Sequence, residues 1–296
     1  MDEQQLSQVR SFNRTVTHRI GVLTGNYLDS GRPLAEARLL FEIGRAGATV
    51  RELRARLGLD SGYLSRLLRV LEADGLTTSQ RDQADARVRR VALTVKGRKE
   101  WARLDARSRD LAASLLAPLG EVQRARLLAA MADVERFLHA AAVTITLADP
   151  HGDEAAACIQ AYIDELRERF DEGFDPERSV SAKPEELVPP HGWFFLARLD
   201  GVPIGCGALK RGENGCGEIK RMWVAASARG LGVAQRLLET LEAQAAQAGI
   251  DILRLDTNRS LVEARHLYLR NGYAEIAPYN DNPYADHWFE KRAVAP

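Results

Sequence analysis

The sequence predicts two domains of different fold class: a mostly α domain built around a helix-turn-helix with a β wing, followed by an α+β domain. Three observations predict this. Apolar residues recur at helical spacing through residues 3–143, and the pattern changes to strand-like alternation at "AVTITLADP". A formal net charge of zero hides 24 Lys and Arg against 17 Asp and Glu in residues 1–143, and 17 against 24 in residues 144–296. The length of 296 residues is enough for two separate cores. The domains are therefore expected at 1–143 and 144–296, with the basic half as the candidate for nucleic acid.

Composition sets the remaining bounds. With 45% hydrophobic and 28% charged residues, the chain reads as soluble and globular. Its N-terminal "MDEQQLSQVRSFNRTVTHRI" lacks the apolar core of a signal peptide, and no segment approaches the roughly 18 apolar residues of a membrane span, so a cytoplasmic protein with no membrane contact is expected. Cys158, Cys206 and Cys216 are odd in number and fall at no metal-ligand spacing, and the six histidines are scattered, so neither a disulfide framework nor a metal site is expected.

In the first half, a helix is expected from about Glu3 to Leu28, with Leu6, Val9, Val16, Ile20 and Leu23 on its apolar face. "TVRE" then carries a capping box, Thr49 with Glu52, opening a helix from Val50 to Leu57 that Gly58 ends. After a three-residue turn comes "SGYLSRLLRVLEADG", where Leu64, Leu67, Leu68 and Leu71 form one stripe and leave Ser61, Gly62, Tyr63, Ser65, Arg66 and Arg69 facing out. A short helix, a tight turn and a second helix with small and basic residues outward is the arrangement that places side chains in a major groove. "LTTSQRDQADARVRRVALT" follows as a hairpin with a polar centre at Asp82 to Ala86 and with Arg81, Arg87, Arg89 and Arg90 on its arms, suited to the phosphate backbone or the minor groove. Helices from Thr94 to about Leu116 and from Glu121 to Ala141 carry further apolar stripes, including Trp101, Leu104, Leu111, Leu115, Leu127, Leu128, Val134 and Leu138. That is more apolar surface than so small a core covers, which suggests a second copy.

The order of long helix, helix-turn-helix, "LEADGL", arginine-rich hairpin and "LTVKGR" resembles the MarR family of winged-helix repressors. The resemblance implies a homodimer joined through its terminal helices on a palindromic double-stranded operator, with Ser61, Gly62, Tyr63, Ser65, Arg66, Arg69, Arg81, Arg87 and Arg89 facing DNA.

In the second half, a helix is expected from Asp153 to about Phe170, then a loop rich in Pro, Gly and acid to Pro190. Strands follow at Trp193–Leu199, Pro203–Leu209 and Gly217–Val224, the first two joined at Asp200-Gly201. After Gly230 and Gly232 come a helix to Ala248, the strand "DILRLDT", a helix from Leu261 to Asn271, and strands near Tyr273 and Trp288.

A strand, a glycine turn and a helix make an anion site, because the first helical turn has unpaired N–H groups and glycine lets the backbone approach phosphate oxygens. A P-loop needs Lys-Ser or Lys-Thr where this chain has Val233-Ala234. A dinucleotide fingerprint needs a third glycine where Gln235 stands, although Asp256 at the end of the next strand could mimic its ribose-binding acid. A turn that uses glycine only for its backbone angles is the plainest alternative.

Arg229-Gly230-Leu231-Gly232-Val233-Ala234 resembles the pyrophosphate loop of the GNAT superfamily of acetyl-CoA-dependent N-acetyltransferases. Upstream, "GEIKRMWV" resembles the superfamily's central strand. Downstream, "TNRSLVEARHLYLRNGY" resembles its second motif, with Ser260 and Glu263 read as a capping box. The resemblance implies the GNAT acyl-CoA N-acyltransferase fold and acetyl-CoA as cosubstrate, held by Met222, Trp223, Val224, Arg229, Gly230, Leu231, Gly232, Val233, Ala234 and Asn258.

Acetyl transfer to an amine must remove a proton from the amine, stabilise an oxyanion and protonate a thiolate. Glu218 on the central strand is the expected general base, acting through water, Tyr268 resembles the superfamily's general acid, and a backbone N–H near Met222 is the expected oxyanion donor. Acceptor recognition is expected from "EGFDP", with Phe174, and from "YNDNPYADHW", with Tyr279, Asn280, Asn282, Tyr284 and Trp288, a segment suited to a small polar amine. The expected protein is a regulator joined to a small-molecule N-acetyltransferase. The alternatives are a regulator whose second half senses acetyl-CoA or an amine without turnover, and a protein N-acetyltransferase.

Overall fold

The structure is a computed structural model that describes residues 2–23, 26–81, 88–212 and 215–292. Contacts divide the chain into two compact units, Met1–Ala130 and Met131–Pro296.

The first unit opens with α1 (Glu3–Arg19), whose start is fixed by a capping box between Asp2 and Gln5. This helix stops well short of the expected Leu28. Ile20 closes it and Gly21 follows at φ +69°, a left-handed angle that ends the helix at low steric cost. Residues Tyr27–Asp29 instead form a short 3-10 turn, held by Arg107 Nη1 donating to Leu28 O at 2.7 Å.

Next come α2 (Leu34–Ile43), β1 (Ala48–Thr49), α3 (Val50–Leu57) and α4 (Ser61–Ala73). Thr49 and Glu52 form the expected capping box, and Gly58 ends α3 in the left-handed conformation. Leu64, Leu67, Leu68 and Leu71 are buried against Leu39, Leu40, Ile43 and Leu53.

Strands β2 (Thr77–Arg81) and β3 (Arg89–Leu93) form the wing, with β1 on the far side of β3. The expected polar centre, Asp82 to Ala86, and Arg87 lie outside the described residues. Helix α5 (Val95–Leu116) follows, and α6 (Glu121–Ala142) runs across the division between the two units. Gly97 lets α5 start close against the chain before it: a Cβ there would lie 1.9 Å from Leu76 O, which no side chain can occupy.

The second unit holds β4 (Thr144–Leu147), α7 (Asp153–Arg169), β5 (Gly192–Leu199), β6 (Val202–Arg211), β7 (Cys216–Val224), α8 (Val233–Gln247), β8 (Ile252–Thr257), α9 (Val262–Arg270), β9 (Ala274–Ile276) and β10 (His287–Arg292). Its seven-stranded sheet runs β4-β5-β6-β7-β8-β10-β9. Asp200 and Gly201 both take positive φ, the two-residue turn that matches the strand twist between β5 and β6. Apolar side chains of α8, Leu237, Leu238 and Leu241, pack with Phe195, Leu209, Ile219 and Leu253 on one face. On the other, Ala155 and Cys158 of α7 pack with Phe194, Leu196, Cys206 and Ala208.

The neighbours β7 and β8 are parallel, and they pair only through Cys216↔Ile252, Gly217↔Leu253 and Glu218↔Arg254. Beyond Glu218 they separate. At the same place the β6 ladder shifts register between Ala208↔Lys220 and Cys206↔Trp223, and Arg221 takes φ +54°. This bulge re-aims the strand, so that Met222 and Val224 pack toward α8 while Trp223 packs toward α7.

Candidate functional site

The split between β7 and β8 opens two adjoining cavities. The larger, about 540 Å³, is lined by Met222, Trp223 and Val224 of β7, by Arg229, Gly230 and Gly232 of the loop, and by Val233 and Ala234 at the start of α8. Gly230 and Gly232 have φ of +81° and +74°, and nothing lies within 4 Å of where their Cβ atoms would be. No side chain caps α8, so its first-turn N–H groups remain for a ligand. Of the expected cofactor residues, Leu231 turns inward to the core and Asn258 lines the second cavity.

Arg229, expected to meet phosphate, is held by a partner from α7. Its Nη2 lies 2.5 Å from both carboxylate oxygens of Glu165. Trp223 Nε1 also donates to Glu165 Oε2 at 2.9 Å, and Arg169 Nη1 to Oε1 at 3.3 Å. Burial alone would raise the Glu165 carboxyl, but the bonds from Trp223 and Arg229 outweigh it and hold the group below the ordinary carboxylate range.

The smaller cavity, about 100 Å³, shares Tyr162, Leu166, Met222, Leu261, Ala264 and Tyr268 with the larger. Its outer wall brings together the two segments expected to recognise the acceptor. Phe174 and Tyr284 rings lie 4.9 Å apart with Phe170 beside them, and Tyr284 Oη accepts from Asp175 N at 3.0 Å. Asn282 lines the cavity with Phe174 and Tyr284, whereas Tyr279, Asn280 and Trp288 are not among its lining residues. Trp288 Nε1 donates to Asn280 Oδ1 at 2.9 Å; Asn280 and Asn282 in turn donate to Asp256 at 3.1 and 2.6 Å. Asn258 Nδ2 donates to Tyr284 O at 2.8 Å, tying the second motif to the acceptor wall.

Tyr268 is 5% exposed and lines both cavities. Burial pushes its phenol well above the usual tyrosine range, so the hydroxyl keeps its proton at neutral pH. Glu218 lies outside the lining of either cavity; its Oε1 is 3.4 Å from Lys220 Nζ, which also donates to Asp256 Oδ2 at 2.9 Å. The expected capping box of α9 does not form. Glu263 instead binds Arg169 at 2.8 Å, and the Ser260 amide donates to Asn258 Oδ1, so this end of the helix is tied to α7 rather than to itself.

Sequence reasoning missed Tyr162, Glu165, Lys220 and Arg221, all of which line a cavity. Lys220 and Arg221 sit inside "GEIKRMWV", but the bulge that turns Arg221 off the strand's alternation leaves no trace in residue type. Tyr162 and Glu165 come from α7, where no motif singles them out. Asp256 was noted only as a mimic of a ribose-binding acid. It lines the smaller cavity, apart from the glycine loop, beneath Lys220, Asn280 and Asn282.

In the first unit, Ser61, Gly62, Ser65, Arg66 and Arg69 are exposed along α4, with Tyr63 half-buried. The Arg66 guanidinium stacks 5.6 Å over the Tyr63 ring and Arg69 Nε donates to Ser65 O at 3.3 Å. Arg81 and Arg89 are exposed on the wing, and Arg89 pairs with Glu72 at 3.0 Å.

A family model described as acetyltransferase (GNAT) family matches residues 146–273, and one described as MarR family matches residues 30–88. An IAA acetyltransferase of Azospirillum brasilense is 35% identical over 143 residues, covering 48% of this chain and 90% of that protein. An aminoalkylphosphonate N-acetyltransferase of Salmonella typhimurium is 32% identical over 94 residues, 30% of this chain and 61% of that protein. Among solved structures, an acetyltransferase of the GNAT family from Staphylococcus aureus covers 51% of this chain and 99% of its own at 19% identity and TM-score 0.44.

Proposed function

This chain belongs to the GNAT acetyltransferase family through residues 146–273 and carries a MarR-family domain at residues 30–88, and from that premise we propose a regulator of transcription that also acetylates a small amine. The second half is an acetyl-CoA-dependent N-acetyltransferase. The proposal adds the kind of acceptor, the residues that serve it, and the joining of two activities near residues 143 and 144.

The observation that carries the reading is the meeting of the two cavities at Tyr268 and Met222. Acetyl-CoA would lie in the larger, with its pyrophosphate on the loop amides and Arg229 and its pantetheine arm along Met222, Trp223 and Val224. The acceptor would lie in the smaller. A chamber of about 100 Å³ behind aromatic walls favours a small molecule over a protein surface.

In this reading the amine attacks the thioester carbonyl beside the β7 bulge, where the Met222 amide meets the developing oxyanion. The C–S bond breaks as the tetrahedral intermediate collapses. Tyr268 gives its proton to the departing thiolate, and Glu218, with Lys220 as its neighbour, takes the amine's proton through water. Asp256 suits the base role less, since Lys220, Asn280 and Asn282 already donate to it.

Thiol release from acetyl-CoA over a panel of amino acids, aminoalkylphosphonates, polyamines, aminoglycosides and peptides tests this. Turnover of a small amine that falls on the order of a hundredfold in Tyr268→Phe and in Glu218→Gln is expected. Tight acetyl-CoA binding with no turnover on any acceptor would point to a sensor instead. Rates that ignore both substitutions would remove the two catalytic roles.

The first half is proposed to bind a double-stranded operator as a homodimer. Support comes from α1 and the start of α6, which leave the apolar side chains Val9, Phe12 and Val122 between 45% and 73% exposed for a second copy to cover.

A further inference from the structure

Resting on the acetyltransferase reading above, we infer that the acceptor carries an acid group, a carboxylate or a phosphonate, which sits on the Arg221 guanidinium in the smaller cavity while its amine faces Tyr268 and Met222. Arg221 is held at φ +54°, a conformation a long side chain rarely adopts, in a bulge that breaks the β6 ladder. Arg221 lines the acceptor chamber, and its guanidinium reaches the Ala182 carbonyl beside the lining residue Ser181.

Its charge is not answered by an ion pair among the described residues. Nη2 donates to Ala182 O at 2.8 Å, and Nε is buried with no partner. Among the described residues no carboxylate forms an ion pair with it. The titratable groups that face it are Tyr162 and Cys206, both kept protonated by their own burial and so uncharged. Lys220 next to it differs, with Asp256 at 2.9 Å and Glu218 at 3.4 Å.

A partly buried guanidinium without a counter-charge is costly, and burial indeed lowers its proton affinity. A small oxyanion would supply the missing charge and meet the free edge of the fork. Ser181 in the same lining adds a hydroxyl donor for one of its remaining oxygens.

The experiment compares matched ligands with the full chain saturated with CoA. Calorimetric titrations with amino acids against their amides, and with ω-aminoalkylphosphonates against ω-amino alcohols, separate the two acid classes. At least about tenfold tighter binding of an acid than of its neutral partner is expected, and Arg221→Gln should abolish that ratio. Arg221→Lys, which keeps the charge but loses the fork, should retain part of it, and it tests the site if the glutamine variant fails to fold. An acid-to-neutral ratio near one in the unaltered protein overturns the inference, as does a ratio unmoved by either variant, which would leave Arg221 as an anchor for Ala182 only. Thiol release from neutral amines without acid preference overturns this inference alone. Acid-dependent binding without thiol release on any acceptor supports it and overturns the catalytic reading instead.

Discussion

Arg229 Nη2 lies 2.5 Å from both oxygens of Glu165, so the cation expected to meet pyrophosphate is already engaged by a carboxylate from α7. A polyanion arriving at the loop must share or displace that partner. Glu165→Gln keeps an oxygen for Trp223 Nε1 while removing the negative charge. Its KM for acetyl-CoA should fall about threefold to fivefold at low salt, and the gain should fade as salt screens the loop. Arg229→Ala should raise the same KM about tenfold. Weaker binding in Glu165→Gln would mean that the carboxylate positions Arg229 rather than competing for it.

Tyr162, Tyr268, Tyr273 and Tyr279 have phenols that burial pushes well above the tyrosine range, with the Glu242 carboxylate adding to the effect at Tyr273 and Glu218 at Tyr279. The folded chain keeps these protons where the unfolded chain releases them, above about pH 10. The unfolded state then binds fewer protons, so stability falls as pH rises. Melting of the second half should hold steady to about pH 9 and drop steeply by about pH 11, with a shallower drop in Tyr273→Phe. A melting point flat through that range would contradict the burial of these hydroxyls.

Much of this was legible from local patterns. The stripe Leu64, Leu67, Leu68 and Leu71 predicted the buried face of α4, and Asp200-Gly201 predicted a hairpin turn, because helix and strand periods and positive-φ residues act over a few positions. The end of α1 was misjudged because apolar spacing runs past Gly21, and one left-handed residue outweighed it. Ser260 and Glu263 matched a capping pattern that Arg169, 94 residues away from Glu263 in the chain, redirected. Arg221 was invisible for the same reason: its role depends on a backbone angle and on which long-range partners are missing, and a strand motif encodes neither.

The arginines of the α4 and wing face differ in what already holds them, and that difference can be read in salt titrations. Arg66 stacks on Tyr63 with its guanidinium exposed, whereas Arg89 pairs with Glu72 at 3.0 Å and also donates to Ser79 at 3.0 Å. A free arginine that meets a phosphate releases a counterion; one already paired must first give up its carboxylate. Arg66→Ala should weaken operator binding and lower the slope of log affinity against log salt by about one. Arg89→Ala should change that slope by clearly less, and Glu72→Gln should increase it by freeing Arg89. Fluorescence anisotropy on one duplex from low to moderate salt measures all three. Equal slopes for the Arg66 and Arg89 variants would show that the Glu72 pair does not govern what the wing offers DNA, and no loss in either would remove this face as the one that reads it.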